Sequence, residues 1–480
     1  MFFYKQAKKM PKPAHAETRQ NRLTINDISK KFADNSLSPV ELAQDCLMRI
    51  KKINPSLNAF CAIWEDEAIK TAQESEKRWR QGCPKSAIDG IPATIKDLFE
   101  VKNRPMRQGS LLMPDIPAQA DSPTVANLRK AGAVFLGATT TPEFGHKGVT
   151  DSPLTGITRN PWNASKTPGG SSGGSAICAA LDLGMIHLGS DGGGSCRIPA
   201  SFSGVFGYKP TQNTWPVFPA SFFYSFSSPG LLAARVADVQ TCLPVLRRKG
   251  RRDPLQITSA YRKGQMASGK KLKAAYAPTF SGLWVHSDTA KIVKNVALAL
   301  EEIAEIEEIT PEFDTVTEIQ GTHWLAGAAT IISQFPDEGS RSKMDPSMRF
   351  FGEHGEKLPL LKFLAAQQQR LDFRQYCATL FKKYDFLIMP TTPMPAFDTG
   401  INAPLYPPTG EIWYDWTPFT FPANMAGLPA ASYPAGFTKD SLPVGVQIIA
   451  APMHDLTVLD VCAWLENCFP PHYPAYPSAG

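Results

Sequence analysis

The chain has 480 residues, of which 43% are apolar and 20% charged, a composition typical of a globular protein with a large core. Its net charge of +6, from 50 Lys and Arg against 44 Asp and Glu, is mild for this length and argues against nucleic-acid or membrane-surface binding. No signal-peptide pattern and no apolar run of about 18 residues occurs, so neither secretion nor a membrane span is predicted. Nine scattered cysteines without a C-x-x-C pair indicate a cytoplasmic, reducing location rather than disulfides or a zinc site.

The predicted elements begin after a loose polar arm, residues 1–22. Ser38-Pro39-Val40-Glu41 is a capping box that starts one helix, and Gly82 ends the next. From residue 90 onward short apolar runs predict strands that alternate with helices, which indicates an α/β sheet covered on both faces. We expect one domain over 23–470, with N-terminal helices at 24–82, a core at 88–245, a C-terminal part of the same sheet at 270–470, and an irregular tail at 471–480.

Two glycine- and serine-rich stretches carry the functional signal, TPGGSSGGSA at 167–176 and LGSDGGGSCRIPA at 188–200. Each lies between a strand signal and a helix signal, where open α/β sheets place ligand sites and where a domain linker is not expected. The lysine that a phosphate-binding P-loop requires is missing from the first stretch. Nucleophilic catalysis by a serine is therefore the favoured use.

Two ways of activating such a serine are compatible with the sequence. GGSSG satisfies the G-x-S-x-G pattern, so Ser171 could serve a histidine-dependent hydrolase with His286, His323 or His454 as base. Alternatively, a lysine becomes the base when burial lowers its pKa from ~10.4 towards neutrality. Lys96, at the end of the apolar run in GIPATIKD, is the candidate for that role.

Three segments together resemble the signature motifs of the amidase signature family, and the likeness spans residues 25–468. These segments are GIPATIKD (90–97), NPWNASKTPGGSSGGSA (160–176) and GSDGGGSCRIPASFSGVFGYKP (189–210). The resemblance implies one large domain with a central mixed, twisted β-sheet. It also implies hydrolysis of a carboxylic amide C–N bond, which releases an acid and ammonia or an amine and needs no cofactor or metal.

The family's Ser–cisSer–Lys triad maps onto Ser195, Ser171 and Lys96. The resemblance implies that Ser195 forms the acyl-enzyme, that Ser171 follows a cis peptide bond, and that neutral Lys96 takes the proton through Ser171. Backbone N–H groups just before the nucleophile suit an oxyanion hole, and they belong to Gly192, Gly193 and Gly194. The sequence departs from the family at Gly192, where Thr is usual, and at Cys196, where Ile is usual. We expect Asp191 and Arg197 to hold the loop.

The family divides into stand-alone amidases and the glutaminase (A-type) subunits of tRNA-dependent amidotransferases. Ile198 and the segment SFSSPG (225–230) replace the Gln and the S-S-L-D-Q that such subunits usually carry, so a stand-alone enzyme is favoured, with the glutaminase as the alternative. An apolar or aryl amide is the expected substrate because aromatic residues crowd the region after the signature. The alternative for this cluster is a contact in the core or between the two protomers of a homodimer. The candidate substrate-binding residues are Phe144, Gly170, Trp215, Phe218 and Phe223.

Overall fold

The computed structural model describes residues 16–17, 22–223, 225–264, 266, 271–404 and 416–476. In this part of the chain, helices and strands alternate as the sequence predicts. The helices are α1 (Ile25–Ala33), α2 (Pro39–Leu57), α3 (Glu65–Arg80), α4 (Pro123–Ala131), α5 (Gly173–Ala180), α6 (Arg197–Ser203), α7 (Val236–Leu246), α8 (Ser287–Leu300), α9 (Val316–Ile332), α10 (Glu338–Arg341), α11 (Pro346–Gly355), α12 (Leu360–Lys383), α13 (Phe421–Met425) and α14 (Asp455–Cys468). The strands are β1 (Ala16–Glu17), β2 (Phe60–Ile63), β3 (Pro92–Lys96), β4 (Val134–Thr139), β5 (Asp151–Ser152), β6 (Gly156–Ile157), β7 (Ile186–Asp191), β8 (Phe206–Lys209), β9 (Ser228–Ala233), β10 (Leu272–Tyr276), β11 (Ala304–Glu308), β12 (Phe386–Pro390), β13 (Ala430–Phe437), β14 (Pro443–Ala450) and β15 (Tyr473–Pro474).

One sheet of eleven strands organises the fold, in the order β11-β10-β12-β14-β13-β8-β9-β7-β3-β4-β2. The strands β11, β10 and β12 are parallel to one another, and so are β7, β3 and β4. All the other neighbours in this sheet pair antiparallel. The expected α/β fold with a mixed sheet is therefore confirmed.

Both faces of the sheet are covered, because successive side chains of a strand point to opposite faces. In β4, Val134 and Leu136 belong to the apolar cluster that contains the buried faces of α2 and α5. Phe135, between them, belongs to the cluster that contains side chains of α4, α7 and α14. The central strands are consequently buried on both sides and read as continuous apolar runs.

The N-terminal helices follow their sequence signals. Ser38 Oγ accepts a hydrogen bond from the first turn of α2, and Glu41 accepts one from the Ser38 N–H, which confirms the predicted capping box. The arm and tail are described only in part, since residues 1–15, 18–21 and 477–480 lie outside the described residues. Ala16–Glu17 pair antiparallel with Tyr473–Pro474 within those segments. Each helix in the described ranges is too short or too polar to cross a lipid bilayer.

Candidate active site

The sequence motifs meet at the carboxyl ends of two neighbouring parallel strands. Lys96 is the last residue of β3, and Ser190 is the penultimate residue of β7. The glycine-rich loop that precedes α5 brings Ser171 and Ser172 to the same place. This edge of an open α/β sheet is where ligands usually bind.

The Lys96 amine is completely buried and is surrounded by serine hydroxyls. Its Nζ lies 2.7 Å from Ser171 Oγ, 3.0 Å from Ser172 Oγ and 3.0 Å from Ser190 Oγ. Within the described residues, no carboxylate forms a salt bridge with this amine. A neutral amine has two hydrogens to donate and one lone pair, so three hydroxyl contacts leave one hydroxyl donating to the nitrogen.

Burial controls the charge of this amine. It lowers the pKa of Lys96 to about 7, and Cys196 and Asp191 oppose the shift only in part. Cys196 contributes little at neutral pH, because burial raises the pKa of its own thiol well above the usual range. A substantial fraction of Lys96 is therefore uncharged near pH 7 and can accept a proton.

The two serine loops are joined to each other through the backbone. The peptide bond between Gly170 and Ser171 is cis. The Ser172 N–H donates to the Ser195 carbonyl oxygen over 3.1 Å, which links the loop before α5 to the loop before α6. Ser171 and Ser195 both line the same cavity, and Ser195 is 8% exposed. The structure thus brings Lys96, Ser171 and Ser195 together at one site.

A buried ion pair shapes the loop that carries Ser195. The Asp191 carboxylate accepts hydrogen bonds from the Arg197 guanidinium and from the N–H groups of Gly194 and Cys196. Burial raises the pKa of Asp191, but Arg197 and the other donors outweigh it and hold this pKa well below its usual range. Both side chains are fully buried and neither lines the cavity, so they position the loop and do not contact substrate.

The three glycines before Ser195 differ in what their backbone can do. The Gly194 N–H donates to Asp191 Oδ1 over 2.9 Å, so this hydrogen is committed to the loop and not to the cavity. Within the described residues, the N–H groups of Gly192 and Gly193 donate no backbone hydrogen bond. Gly192 also lines the cavity. Of the predicted oxyanion-hole donors, these two remain, and Gly194 is excluded by its own hydrogen bond.

The cavity above Ser195 has a volume of about 200 Å³. Its walls are aromatic and aliphatic, and among the described residues no charged side chain lines it. Phe223 stacks on Trp324 with ring centroids 3.8 Å apart, and the Trp324 indole N–H donates to the His146 carbonyl oxygen. The apolar part of the lining is Leu98, Phe99, Met106, Phe144, Pro216, Val217, Phe218, Pro219, Ala220, Phe222, Phe223, Pro229 and Trp324.

Three of the five candidate substrate-binding residues line this cavity, namely Phe144, Phe218 and Phe223. Trp215 does not, because its side chain is completely buried in the core and packs against the Tyr208 ring. Gly170 does not either. A Cβ on Gly170 would lie 2.5 Å from the Val149 carbonyl oxygen, so this glycine serves close backbone packing.

The histidine alternative has no geometric support in the described part of the chain. No histidine there hydrogen-bonds to Ser171, whose hydroxyl contacts Lys96. His286 caps α8 and His323 Nδ1 bonds within α9. His454 precedes α14, where its own backbone makes the contacts.

Sequence reasoning missed several residues of the site. Ser172 and Ser190 contact the lysine directly, and both lie inside the quoted motifs as the second serine of GGSSGG and the serine of GSDGGGS. Thr420 and Asn424 come from a distant part of the chain: Thr420 Oγ1 donates to the Gly193 carbonyl oxygen, and Asn424 Nδ2 donates to Asp191. Trp324 carries no local motif, since only tertiary packing brings α9 over the cavity.

Comparisons with known proteins agree with this geometry. A protein-family model described as Amidase matches residues 41–459. Acylamidase of Rhodococcus erythropolis is 34% identical over 464 residues, which cover 94% of this chain and 97% of that protein. The A-type component of glutamyl-tRNA(Gln) amidotransferase from Prochlorococcus marinus is 31% identical over 477 residues, which cover 93% of this chain and 97% of that protein.

A solved structure has the same fold. The crystal structure of a bacterial aryl acylamidase belonging to the amidase signature enzymes superposes with a TM-score of 0.85. The superposition covers 93% of this chain and 96% of that chain at 24% identity, so it supports the architecture and says nothing of the substrate.

Proposed function

The chain belongs to the amidase signature family, whose reaction is hydrolysis of amide C–N bonds, and we propose that it cleaves amides of apolar or aryl acids with a Ser195–Ser171–Lys96 triad. One observation carries this proposal. A fully buried lysine amine, without a carboxylate partner among the described residues, lies 2.7 Å from the Ser171 hydroxyl beside a cavity that Ser195 also lines.

The proposed reaction begins with proton transfer. Ser195 Oγ attacks the carbonyl carbon while its proton passes to Ser171 Oγ, and the Ser171 proton passes to Lys96 Nζ. A serine hydroxyl can donate and accept at the same time, so Ser171 is suited to relay this proton. The resulting oxyanion lies where the Gly192 and Gly193 N–H groups can stabilise it.

The same relay then runs in reverse. As the tetrahedral intermediate collapses, its C–N bond breaks and the proton on Lys96 returns through Ser171 to the leaving nitrogen, which departs as ammonia or an amine. A water molecule then attacks the acyl ester and gives its proton to the relay. The acid is released and the Ser195 hydroxyl is restored.

The cavity supports an uncharged, apolar acyl group. Its aromatic walls gain free energy by covering apolar surface, whereas a charged group would lose its hydration without gaining a partner. The acylamidase relative is consistent with this class of substrate.

The glutaminase component of an amidotransferase is the second candidate, because one such protein is 31% identical over nearly the whole chain. Free glutamine carries an ammonium and a carboxylate, and the described lining of the cavity offers a charged partner to neither. The stand-alone enzyme is therefore the better-supported proposal. The homodimer and the cytoplasmic location expected from the sequence stay predictions.

The test is hydrolysis of a panel of benzamide, acetanilide, acetamide and glutamine by the wild type, Ser195→Ala and Ser227→Ala. Ser227 is a matched control, because its residue lines the same cavity and makes no contact with Lys96. We expect the aryl amides to be cleaved, Ser195→Ala to be inactive, and Ser227→Ala to retain activity. Trapping with hydroxylamine should give a hydroxamate, and mass spectrometry should locate the acyl group on the Ser195 peptide. A preference for glutamine, or full activity of Ser195→Ala, would overturn the proposal.

A further inference from the structure

A second cavity lies next to the first one and takes no part in the proposed reaction. Its volume is about 370 Å³, and it shares Phe222, Phe223 and Trp324 with the cavity above Ser195. The shared side chains include the stacked pair of Phe223 and Trp324, so this aromatic wall separates the two spaces. The chemistry on the far side of the wall is different.

Two guanidinium groups line the second cavity. Arg370 and Arg374 are one helical turn apart on α12, which places them on the same face of the helix. Arg370 is only 7% exposed and donates hydrogen bonds to the Met425 carbonyl oxygen and to the carbonyl and hydroxyl oxygens of Ser225. None of these acceptors carries a charge.

The absence of an anion at Arg370 is unusual within the described part of this molecule. The other deeply buried guanidinium, that of Arg197, is paired with the Asp191 carboxylate at 2.8 Å. Burial, together with the positive charge of Arg374, lowers the pKa of Arg370 to about 10. A buried charge without a counter-ion is costly, and a bound anion would offset that cost.

The rest of the lining describes the body of the ligand. The Phe226 ring lies 3.9 Å from the Arg370 guanidinium carbon, and apolar side chains from α12 and the shared wall complete an aromatic space. No acidic residue is among the described lining residues. The lining therefore combines cationic hydrogen-bond donors with aromatic surface, the pairing that recognises an anionic head on an apolar body.

We propose that this second cavity is a binding site for an apolar or aryl carboxylate, with Arg374 and Arg370 holding the carboxylate group. The proposed function gives this ligand a source, because hydrolysis of an aryl amide produces an acid of the same class. A carboxylate bound behind Phe223 and Trp324 contacts the wall of the reacting cavity from outside, so the site provides a route by which the product acid regulates turnover.

The experiment is calorimetric titration of sodium benzoate into the full-length Ser195→Ala protein in a buffer low in chloride. We expect benzoate to bind in a 1:1 ratio and Arg374→Gln to weaken binding about tenfold or more, the effect of losing a charge-assisted hydrogen bond. Arg374→Lys, which keeps the charge, should weaken binding less. Lys362→Gln removes an exposed cation near the start of the same helix and should leave binding unchanged.

A competition separates the two cavities. Saturating benzamide, which the Ser195→Ala protein does not hydrolyse, should occupy the first cavity without displacing benzoate from the second. The inference is overturned if benzoate fails to bind, if it binds Arg374→Gln as well as the parent, or if benzamide displaces it. Because no turnover is measured, these outcomes are independent of whether the wild type hydrolyses amides.

Discussion

The Lys96 amine and the Ser171 hydroxyl are 2.7 Å apart, and both side chains are withdrawn almost completely from solvent. Burial lowers the pKa of Lys96 to about 7, which converts a side chain that is normally charged into a usable base. The relationship matters because a protonated amine could only donate to the hydroxyls around it. The predictions below depend on the uncharged form.

Replacing Lys96 should remove the base without removing the cavity. We expect Lys96→Met to lower kcat for amide hydrolysis by about 10²–10⁴-fold, the range for losing a general base. Lys209→Met is the matched control. Lys209 is also fully buried, with its pKa lowered by burial to about 7, but its Nζ donates to the Pro210 carbonyl oxygen and does not line the cavity. Equal loss of kcat in both variants, at unchanged circular dichroism, would contradict the role given to Lys96.

The rate should follow the protonation of Lys96. Below pH 7 the amine is mainly protonated and cannot accept a proton, so kcat/KM should fall about tenfold per pH unit as the pH is lowered. Above pH 7 the neutral amine dominates and kcat/KM should level off. The measurement is kcat/KM for one neutral aryl amide from pH 5 to pH 9, with the residual rate of Lys96→Met as the reference. A wild-type profile that is flat through pH 7 would be inconsistent with a lysine base.

Stability should respond to the same proton. The folded state lowers the pKa of Lys96 below its unfolded value, so between about pH 7 and pH 10 the unfolded chain binds more protons and the free energy of unfolding rises with pH. We expect the wild type to gain stability relative to Lys96→Met over this interval, and the difference to be constant below pH 6. Urea unfolding of both proteins at pH 6, 8 and 10 measures it. A difference that does not change with pH would show that the buried amine stays charged.

Cavity-lining residues should control substrate choice, whereas core residues should control stability. Phe218 lines the cavity and is 41% exposed. Phe218→Ala should lower kcat/KM for an aryl amide about tenfold while changing that for acetamide little, because only the larger acyl group reaches this wall. Trp215→Phe, a change in a side chain that does not line the cavity, should lower Tm and leave the ratio of the two kcat/KM values unchanged. A shift of that ratio in Trp215→Phe would return Trp215 to the substrate site.

The glycines before the nucleophile should tolerate a methyl group unequally. Gly194 has φ of +117°, and a Cβ there would lie 2.3 Å from Thr420 Oγ1. A Cβ on Gly192 would lie 3.5 Å from the Trp324 ring, which is ordinary contact. Gly194→Ala should therefore distort the loop and lower kcat about 10²-fold or more, a loss comparable to that of an oxyanion-hole donor, and Gly192→Ala should lose less. Measured kcat values in the reverse order would mean that the loop adapts to the larger residue.

The sequence by itself determined the elements and the chemistry of the central motifs. Local signals sufficed for these, because a capping box such as that at Ser38 acts within one helical turn and a buried strand such as β3 is a contiguous apolar run. The family resemblance added the triad, since its serines and lysine lie within motifs of fixed spacing. Strands with small residues or charged edges, such as β13 and β11, gave weaker signals and were not predicted.

Only the tertiary structure decided which side chains share a surface. Trp215 and Phe218 are three residues apart in one aromatic cluster, yet the first packs into the core and the second lines the cavity, because the chain turns between them. Trp324, Thr420 and Asn424 reach the site from helices far along the chain. The pKa of Lys96 was equally a tertiary property, since desolvation depends on everything packed around the amine and not on the residues beside it in sequence.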